Sequence, residues 1–344
     1  MQNEKNLFSI GNLEIKISHL LIILILSISF TVSFLLRSLP ADFMWDLHEF
    51  DPFFNYRATE FLVNNGLVEY LKWNDDLSWY PIGRNVVGTS QVFLHIFTGS
   101  IYLVFANIIN LYDFTILFPV IIGSLTSIVV FGIVRTIFGT TSGLIASLLF
   151  SISFPILIRG QIGWFKSEPL GIFLGLLGTY FLLSCLSSKN LKNSIIRSSL
   201  SGIFLSFGIS AWGGNIFFFI PLAIMFCLLP FCRKDHKILI FNTVPCITSL
   251  ILVSLFFNTL SLGNSFLLDC LPLLLSFPIM ISIIFIQKIS KTELKNRNGI
   301  IFFILLIIIF SGLVIAGANS TLDSSKNRSF FPLARARLTN LERP

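Results

Sequence analysis

Carboxylate side chains are concentrated in one polar segment of an otherwise apolar chain. Between positions 38 and 89, acidic residues outnumber basic ones by eight to three. The acidic residues are Asp42, Asp46, Glu49, Asp51, Glu60, Glu69, Asp75 and Asp76, and the basic ones are Arg57, Lys72 and Arg84. Hard carboxylate oxygens are the ligands that Mg²⁺ and Mn²⁺ prefer in proteins. This segment therefore favours binding of a divalent cation.

One acid of this segment, Asp51, lies in the stretch "HEFDPFFNYRATEFL", residues 48–62. It precedes Pro52, and proline is favoured in the first turn of a helix. Aspartate is also a favoured residue at the N-cap. The pattern therefore predicts that Asp51 caps a short helix over residues 53–64, a role that requires no chemistry.

A second group of charged residues lies in "LIRGQIGWFKSEPLG", residues 157–171. Ser167 is predicted to be the N-cap of a helix with Glu168 in its first turn, where the positive end of the helix dipole favours a carboxylate. Each charged residue has a purely structural interpretation. Glu168 can complement the dipole, and Arg159 can anchor the chain at the membrane surface.

The chain that carries these residues has the composition of a membrane protein. Of its 344 residues 54% are hydrophobic and 12% are charged, whereas soluble domains contain about 25% charged residues. Runs of about 20 apolar residues cross a bilayer as helices, and continuously apolar runs are not those of a β-barrel. Ten runs qualify, namely 17–37, 90–111, 114–137, 139–158, 169–188, 196–212, 214–232, 238–258, 264–286 and 299–317.

Basic residues in the short loops indicate how these runs are oriented. Three basic loops are separated by pairs of runs and therefore lie on one membrane face. They contain Lys189, Lys192 and Arg197, then Arg233, Lys234 and Lys237, then Lys288, Lys291, Lys295 and Arg297. Cytoplasmic loops are enriched in Lys and Arg. This enrichment accounts for the net charge of +7 without a nucleic-acid partner and makes the lipid bilayer the expected surroundings.

If the basic N-terminus, residues 1–16, is also cytoplasmic, one of the ten runs cannot cross the membrane. The most polar run is 90–111, which we predict to lie along the outer interface or against other helices. Nine spans then form a membrane domain over residues 17–317. Residues 38–113 become the first external loop, and 318–344 a further external segment.

The same topology places Asp51, Arg159 and Glu168 together on the outer face, which their structural interpretations do not require. Trp79 and Tyr80, in "WNDDLSWYPIGR" (73–84), lie on this face too. Their aromatic rings suit the headgroup level of a membrane. The candidate residues are thus expected beside the outer surface of the bilayer.

Three stretches of this sequence resemble one known family. They are "HEFDPFFNYRAT" (48–59), "WNDDLSWYPIGR" (73–84) and "SAWGGNIFF" (210–218). They resemble the N-terminal membrane domain of the catalytic subunit of oligosaccharyltransferase, and the likeness runs in order from about residue 15 to 317. The resemblance implies an all-α polytopic fold, the C-type glycosyltransferase membrane domain, with in-plane helices in the first external loop.

The resemblance also implies an activity, protein N-glycosylation. Members of this family transfer an oligosaccharide from a polyprenyl or dolichyl phosphate or diphosphate carrier to asparagine in Asn-x-Ser/Thr of an acceptor polypeptide. The active site is expected on the external face of the cell membrane, with the lumenal face of the endoplasmic reticulum membrane as the alternative.

The resemblance carries roles to individual residues. Asp51 matches the family's first metal-binding aspartate, and Glu168 matches the second acid of an Asp-x-Asp or Asp-x-Glu motif. These two carboxylates are therefore implied to hold Mg²⁺ or Mn²⁺, and Arg159 to contact phosphate or a neighbouring carboxylate. Lys166 stands where the family has the first acid of the second motif. Either fewer carboxylates hold the metal, or Lys166 contacts the donor diphosphate as a point charge.

Two further family features concern the last part of the chain. Glu342 is the late candidate for an external-loop glutamate that engages the metal and the acceptor. The family's soluble domain with its Trp-Trp-Asp motif is absent, so the external segment 318–344 is expected to be truncated. Trp79 and Tyr80 are additional candidates for contacting the substrate.

Three other functions stay open at this point. Another C-type transferase of lipid-linked sugars, such as an O-mannosyltransferase, differs in its acceptor. A non-catalytic membrane scaffold is compatible with the missing soluble domain. A transporter is disfavoured, because transporters place ionisable groups near the middle of the membrane and the apolar runs here are nearly free of charge.

Short epitope tags test the orientation. Tags at 189–195 and 233–237 should be accessible only from the cytoplasm, and tags near 75 and 325 only from outside, because basic loops stay in the cytoplasm. Antibody or protease access in sealed vesicles measures this. Finding positions 75 and 235 on one side of the membrane contradicts the nine-span arrangement.

Overall fold

The computed structural model describes residues 6–10, 13–188, 190–233, 235–260, 269–290, 294 and 296–305. These residues are mainly helical. The helices are α1 Ile17–Ser38, α2 Phe50–Tyr70, α3 Val86–Thr89, α4 Val92–Phe105, α5 Leu111–Phe138, α6 Thr140–Ser151, α7 Phe154–Ile158, α8 Ser167–Leu186, α9 Leu191–Ala211, α10 Ile216–Cys232, α11 His236–Leu260 and α12 Leu271–Ile289. Two 3₁₀ turns, Leu39–Asp42 and Gly213–Asn215, follow α1 and precede α10.

Two short antiparallel hairpins interrupt the helical pattern. Strand β1, Asn6–Ile10, pairs with β2, Leu13–Lys16. Strand β3, Asn74–Asp75, pairs with β4, Arg84–Asn85. The second hairpin lies in the polar segment that was expected to be external, and it places Arg84 opposite Asp75.

Seven helical stretches among the described residues are long and apolar enough to cross a membrane. They are Ile17–Asp42, Leu111–Phe138, Ser167–Leu186, Leu191–Ala211, Gly213–Cys232, His236–Thr259 and Leu271–Ile289. Each coincides with a predicted run, and the prediction of an all-α polytopic membrane protein is confirmed. The last predicted run, 299–317, is helical where it is described, up to residue 305. Because the rest of that run lies outside the described residues, the number of nine spans stays a prediction.

One predicted run, 139–158, is not a single helix. Helix α6 ends at Ser151, and α7 begins at Phe154 with Pro155 at its second position. Proline cannot donate a helical hydrogen bond and disfavours helical backbone in the residue before it. The continuous hydropathy of this run therefore concealed a break that leads the chain towards Arg159.

The polar run 90–111 contains helix α4, whose 14 residues give a length of about 21 Å at 1.5 Å per residue. This is shorter than the hydrocarbon core of a bilayer, which is about 30 Å thick. The Phe93 ring stacks on Phe207 at 4.6 Å and meets the edge of Phe257 at 5.6 Å. Helix α4 thus docks against α9 and α11, one of the two placements that the sequence predicted.

The chain forms two compact units, one of residues 1–226 and 235–277 and the other of 227–234 and 278–344. In the first unit α9 packs against α8 and α11, while α5 packs against α1, α6 and α8. In the second unit the Asn298 amide donates a hydrogen bond to Ser290 Oγ at 3.0 Å. The candidate site residues that the structure describes all belong to the first unit.

Small residues let the helices of the first unit approach closely, as is common in membrane proteins. A Cβ atom at Gly171 or Gly175 of α8 would collide with Trp212 or Asn215 of the "SAWGGNIFF" stretch. Asn215 in turn donates a hydrogen bond from Nδ2 to the Gly208 carbonyl at 2.8 Å. This stretch therefore packs on the glycine face of α8.

A buried arginine at the end of α1 connects three helices. Arg37 is 1% exposed and donates from Nη1 to the carbonyls of Ile156 at 2.8 Å and Leu157 at 3.1 Å. Nη2 lies 3.4 Å from the Gly123 carbonyl. Since these carbonyls include the C-terminal end of α7, the cation also complements the negative end of a helix. Arg37 thus holds α7 and the start of the following loop against α1 and α5.

Removing this arginine should destabilise the fold. Arg37→Leu leaves partly buried carbonyls of α7 without partners, each at a cost below the ~1–3 kcal/mol of a fully buried group. We expect the midpoint of thermal unfolding in detergent to fall by several degrees, measured with a maleimide dye that reacts with the buried cysteines as they become exposed. Arg135→Leu, at an exposed arginine of α5, is the matched control. Equal midpoints for the two variants contradict the role of Arg37.

Candidate functional site

The first turn of α2 carries two acidic residues of the site. The N-cap is Glu49, and Asp51 is the second residue of the helix, so the prediction that Asp51 is the cap was wrong. The helix begins three residues before the predicted 53–64, and Gly66, with non-helical backbone angles, separates this part from the residues up to Tyr70. Glu49 has φ 67° and ψ 174°, a region that residues other than glycine rarely occupy and that costs about 1–3 kcal/mol. Some interaction must therefore hold Glu49 in this conformation.

The first turn of α8 carries the other charged residues. Its N-cap is Lys166 rather than the predicted Ser167, which is the first residue of the helix. Glu168 lies in the first turn as predicted, where the helix dipole favours its charge. The predicted start of this helix was thus wrong by one residue, and the lysine becomes part of the end of the helix.

Lys166 joins the two helix ends. Its ammonium lies 2.5 Å from Glu49 Oε2 and 3.3 Å from Asp51 Oδ2, and 4.5 Å from the centre of the Trp164 ring. The side chain is only 12% exposed. Although burial disfavours its charged form, the hydrogen bonds to Glu49 and Asp51 raise the pKa of Lys166 above its usual value. The lysine is therefore a cation held between two carboxylates.

Arg159 and Glu168 form a second ion pair. Arg159 Nη1 lies 3.3 Å from Glu168 Oε1, and the guanidinium carbon lies 5.4 Å from the centre of the Trp164 ring. The other carboxylate oxygen, Glu168 Oε2, is buried and has no hydrogen-bond partner among the residues that the structure describes. A buried carboxylate oxygen without a donor is costly. This atom is therefore available to a donor group of a bound molecule.

A cavity of about 130 Å³ lies between these helix ends. Its lining includes Asp51, Asn55, Arg84, Lys166 and Glu168. The sequence predicted that Asp51, Arg159 and Glu168 lie on one membrane face. The structure brings Asp51, Glu168 and Lys166 to one cavity and places Arg159 beside it through Glu168. Polar groups make up much of the surface, which suits a charged or strongly polar ligand.

Arg84 was not predicted to be part of the site. The β3–β4 hairpin positions its backbone, and its guanidinium donates hydrogen bonds to the hydroxyl and carbonyl of Thr89 at 2.9 and 3.0 Å. The guanidinium carbon lies 3.9 Å from the centre of the Phe54 ring and 5.0 Å from that of Trp79. Arg84 is therefore a fixed cation on the side of the cavity formed by the polar segment.

The remaining predicted residues lie outside this cavity. The side chains of Trp79 and Tyr80 are 61% and 88% exposed, and only Trp79 is connected to the site, through Arg84. Their exposure is compatible with contact with lipid headgroups. Glu342 lies outside the described residues.

Backbone contacts fix the loop that precedes Lys166. The amide of Ile162 donates to the Arg37 carbonyl at 2.9 Å, and the amide of Gly163 donates to the Ile116 carbonyl at 3.0 Å. The Gly163 carbonyl accepts from the His48 amide at 3.1 Å. Gly163 has φ +72°, and a Cβ atom there would collide with Asp46 and His48. The loop is therefore held directly against the residues that lead into Glu49.

A directional chain of hydrogen bonds connects this loop to α2 and α4. Asn55 donates from Nδ2 to the Phe165 carbonyl at 3.0 Å, so its Oδ1 is the acceptor for His95 Nε2 at 3.1 Å. His95 Nδ1 must then accept from the Tyr70 hydroxyl at 2.6 Å. This arrangement requires neutral His95, and burial lowers the pKa of His95 to about 3. The chain fixes Asn55, a cavity residue, through side chains of α2 and α4 and a backbone carbonyl of the loop before Lys166.

Sequence reasoning missed Glu49, Asn55, Arg84 and His95. Three of these residues lie in the stretches "HEFDPFFNYRAT" and "WNDDLSWYPIGR", so their presence in long motifs was a usable signal. His95 lies in the polar run 90–111. Its partners are 25 and 40 residues away in sequence, and no local spacing indicates them.

The neutral state of His95 predicts a pH dependence of stability. Below about pH 6.5 the unfolded chain gains a proton on this histidine that the folded protein does not bind, so the free energy of unfolding should fall as the pH is lowered. His95→Gln should show a smaller fall in unfolding midpoint between about pH 7.5 and 5 than the wild type. Tyr70→Phe disturbs the same network but keeps the histidine and should retain the dependence. Equal pH dependence for wild type and His95→Gln contradicts this assignment.

Curated relatives match part of the chain. It is 32% identical over 203 residues to the dolichyl-diphosphooligosaccharide–protein glycosyltransferase subunit stt-3 of Caenorhabditis elegans, a match that covers 58% of this chain and 26% of the relative. It is 32% identical over 227 residues to subunit STT3 of Dictyostelium discoideum, covering 64% of this chain and 31% of the relative. These matches thus extend over about a quarter to a third of the length of the relatives.

Solved structures of an Archaeoglobus fulgidus oligosaccharyltransferase have a similar fold. The apo form has a TM-score of 0.68 at 20% identity and covers 94% of this chain and 39% of that chain. A complex with an inhibitory peptide and a dolichol-phosphate has a TM-score of 0.67 at 20% identity, covering 87% and 38%. A complex with Zn and sulfate has a TM-score of 0.66 at 21% identity, covering 88% and 40%. At this identity the likeness establishes a shared fold.

The family described as "Oligosaccharyl transferase STT3, N-terminal" matches residues 20–316 of this chain. This range includes the three stretches that carried the resemblance and the described residues of the site. It also agrees with the extent of the likeness read from those stretches. The chain therefore belongs to the oligosaccharyl transferase STT3 family.

Proposed function

We propose that the protein transfers an oligosaccharide from a polyprenyl or dolichyl diphosphate carrier to asparagine in Asn-x-Ser/Thr of an acceptor polypeptide. The observation that carries this proposal is the cluster of carboxylates and cations at the first turns of α2 and α8, in a chain of the STT3 family. A related A. fulgidus enzyme has been solved with an inhibitory peptide and a dolichol-phosphate. A peptide and a lipid phosphate are the two chemical classes of ligand that the proposed reaction uses.

The reaction replaces one bond at the anomeric carbon of the sugar with another. The side-chain nitrogen of asparagine bonds to this carbon, the bond from the carbon to the diphosphate oxygen breaks, and the nitrogen loses one proton. Negative charge on the departing diphosphate must be stabilised by preorganised positive groups. The carboxamide is a poor nucleophile, so acceptors must hold its N–H groups and reduce its amide conjugation.

The positively charged side chains of the site can bind the negatively charged diphosphate of the donor. Lys166 and Arg84 line the cavity, and the ion pair with Glu168 holds Arg159 beside it. An ammonium binds phosphate as a compact charge, and a guanidinium can donate two parallel hydrogen bonds to it. We therefore assign the diphosphate to this side of the cavity.

The carboxylates of the site can accept hydrogen bonds from the side-chain N–H groups of the acceptor asparagine. Glu168 Oε2 is buried without a partner among the described residues, so it can accept a hydrogen bond from the carboxamide and take up its proton. Asp51 is 54% exposed and uses Oδ2 towards Lys166, which leaves Oδ1 for the second N–H of the carboxamide. Trp79 and Tyr80, exposed on the same polar segment, are proposed to contact the lipid part of the donor.

The family resemblance implies Mg²⁺ or Mn²⁺ on Asp51 and Glu168, and one A. fulgidus structure is a complex with Zn and sulfate. The donor set of this chain does not fit a divalent cation. No three His, Cys, Asp or Glu side chains are grouped to hold a metal ion within the described residues, and Asp51 is paired with Lys166. A dication on Asp51 would be repelled by this ammonium a few ångströms away. No step of the proposed mechanism therefore involves a metal, and Mg²⁺ or Mn²⁺ stays a prediction of the resemblance.

The orientation in the membrane is part of the proposal. The basic loops indicate that the site faces away from the cytoplasm, on the cell exterior or, as the alternative, in the lumen of the endoplasmic reticulum. An acceptor polypeptide reaches this face after it has crossed the membrane. The external position of the polar segment is thus consistent with modification of exported proteins.

Removing either carboxylate should abolish most of the transfer. We expect Asp51→Ala and Glu168→Ala each to lower the rate by about 10²–10³, the typical effect of losing a preorganised group that stabilises the reaction. The measurement is transfer of a labelled lipid-linked oligosaccharide to an Asn-x-Thr peptide by the native protein in membranes of its host. Glu69→Ala, at an exposed acid of α2, is the matched control and should keep full activity. Normal transfer by either site variant returns that residue to a purely structural role.

A further inference from the structure

We propose that the Lys166 ammonium is the resident cation of this site, so that the diphosphate of the donor binds without a divalent metal ion. The inference rests on the proposed function, because it concerns how the same cavity binds the donor. It explains why a basic residue stands where the family resemblance implies a metal-binding acid.

The position of Lys166 is that of a bound cation. Its ammonium contacts Glu49 Oε2 at 2.5 Å and Asp51 Oδ2 at 3.3 Å, so it already neutralises the aspartate that the resemblance assigns to a metal. The carboxylates are 48% and 54% exposed, but the lysine between them is only 12% exposed. The side chain of a surface lysine is normally surrounded by water. The Lys166 side chain is instead enclosed by its two carboxylate partners and by the Trp164 ring.

Lys166 also has the hydrogen-bonding capacity to bind a ligand. An ammonium has three N–H donors and no acceptor. The contacts with Glu49 and Asp51 account for two donors. The third has no acceptor among the residues that the structure describes and is available to an oxygen of a molecule in the cavity, which Lys166 lines. Lys166 can therefore bridge the carboxylates of α2 and a phosphate oxygen, as a bridging metal ion does.

The charges of the whole cluster agree with this assignment. Glu49, Asp51 and Glu168 are balanced by Lys166, Arg84 and Arg159, so the cluster is neutral before any ligand binds. An added dication would leave an excess of positive charge next to Lys166, and its repulsion from the ammonium opposes binding. A diphosphate instead enters a cavity that Lys166 and Arg84 line, with Arg159 held beside it by Glu168.

A binding experiment tests the inference without relying on catalysis. The purified chain in detergent is titrated at one salt concentration with farnesyl diphosphate and with inorganic diphosphate, in EDTA and then in Mn²⁺. The wild type should bind farnesyl diphosphate in EDTA, with the same Kd in Mn²⁺. Lys166→Met should weaken binding in EDTA by about tenfold or more, because a hydrogen bond to a charged group is lost. Lys166→Arg keeps the charge and should retain most of the affinity.

The variant Lys166→Asp provides the sharpest comparison. It restores the pair of acids that the resemblance implies. This variant should therefore bind diphosphate only when Mn²⁺ is present. It should also bind Mn²⁺ itself, which electron paramagnetic resonance detects as a loss of the free-ion signal. Lys72→Asp makes the same change at an exposed lysine of the same polar segment and should behave as wild type. Unfolding midpoints of every variant show whether each is folded.

The outcomes separate this inference from the proposed function. Wild-type binding that disappears in EDTA and returns with Mn²⁺ overturns the inference and leaves the proposed function intact. Equal affinity of the wild type and a folded Lys166→Met in EDTA also overturns it, since Lys166 then only connects the first turns of α2 and α8 and does not bind the ligand. If the wild type binds neither probe under either condition, the assignment of a diphosphate donor itself fails. Because the comparison of EDTA with Mn²⁺ uses the wild type, it stands even if Lys166→Asp does not fold.

Discussion

The contact of the Lys166 ammonium with Glu49 and Asp51 joins two helix ends that are more than 100 residues apart in sequence. Glu49 adopts a backbone conformation that is unfavourable for a residue with a side chain, and the short contact with Lys166 is the interaction that holds it. Both acids are about half exposed, so solvent screens much of the attraction. The lysine, however, is nearly enclosed, and removing its partners would leave a desolvated charge, which is more costly than the pair is stabilising. The ion pair therefore specifies where the ends of α2 and α8 lie more than it strengthens the fold.

The precision of this contact depends on how firmly Lys166 is held. Hydrogen bonds connect the loop of residues 159–165 to α1, α2, α5 and the segment before Glu49. Arg37 fixes the start of this loop through α7, and the Tyr70–His95–Asn55 chain fixes its end through the Phe165 carbonyl. Groups that bind a ligand are more effective when their supporting residues hold them in one geometry. Arg37 and His95, buried polar side chains that would be costly if unpaired, contribute to this support.

The sequence predicted the parts of this arrangement that depend on composition and local pattern. Long apolar runs predicted the spanning helices, and the parity of the basic loops predicted that Asp51, Arg159 and Glu168 lie on one membrane face. The helix caps were each wrong, by one or two residues, because local preference for Asp51 and Ser167 was overridden by the contact between Glu49 and Lys166. The break at Pro155 was hidden by continuous hydropathy. Arg84 and the partners of His95 depend on the β3–β4 hairpin and on the docking of α4, and such long-range pairings leave no periodic signal in one sequence.

An ammonium in this position changes what the rest of the site must supply. A divalent ion brings two charges and accepts electron pairs directly from phosphate oxygens, whereas Lys166 brings one charge and donates hydrogen bonds. In the proposed reaction, the remaining charge on the departing diphosphate is met by Arg84 and Arg159, which come from the β3–β4 hairpin and the end of α7. Arg159 is already engaged with Glu168 Oε1, so a phosphate that draws the guanidinium away would free this carboxylate for the acceptor. In the proposed reaction, donor binding and acceptor binding are thus coupled through the single ion pair between Arg159 and Glu168.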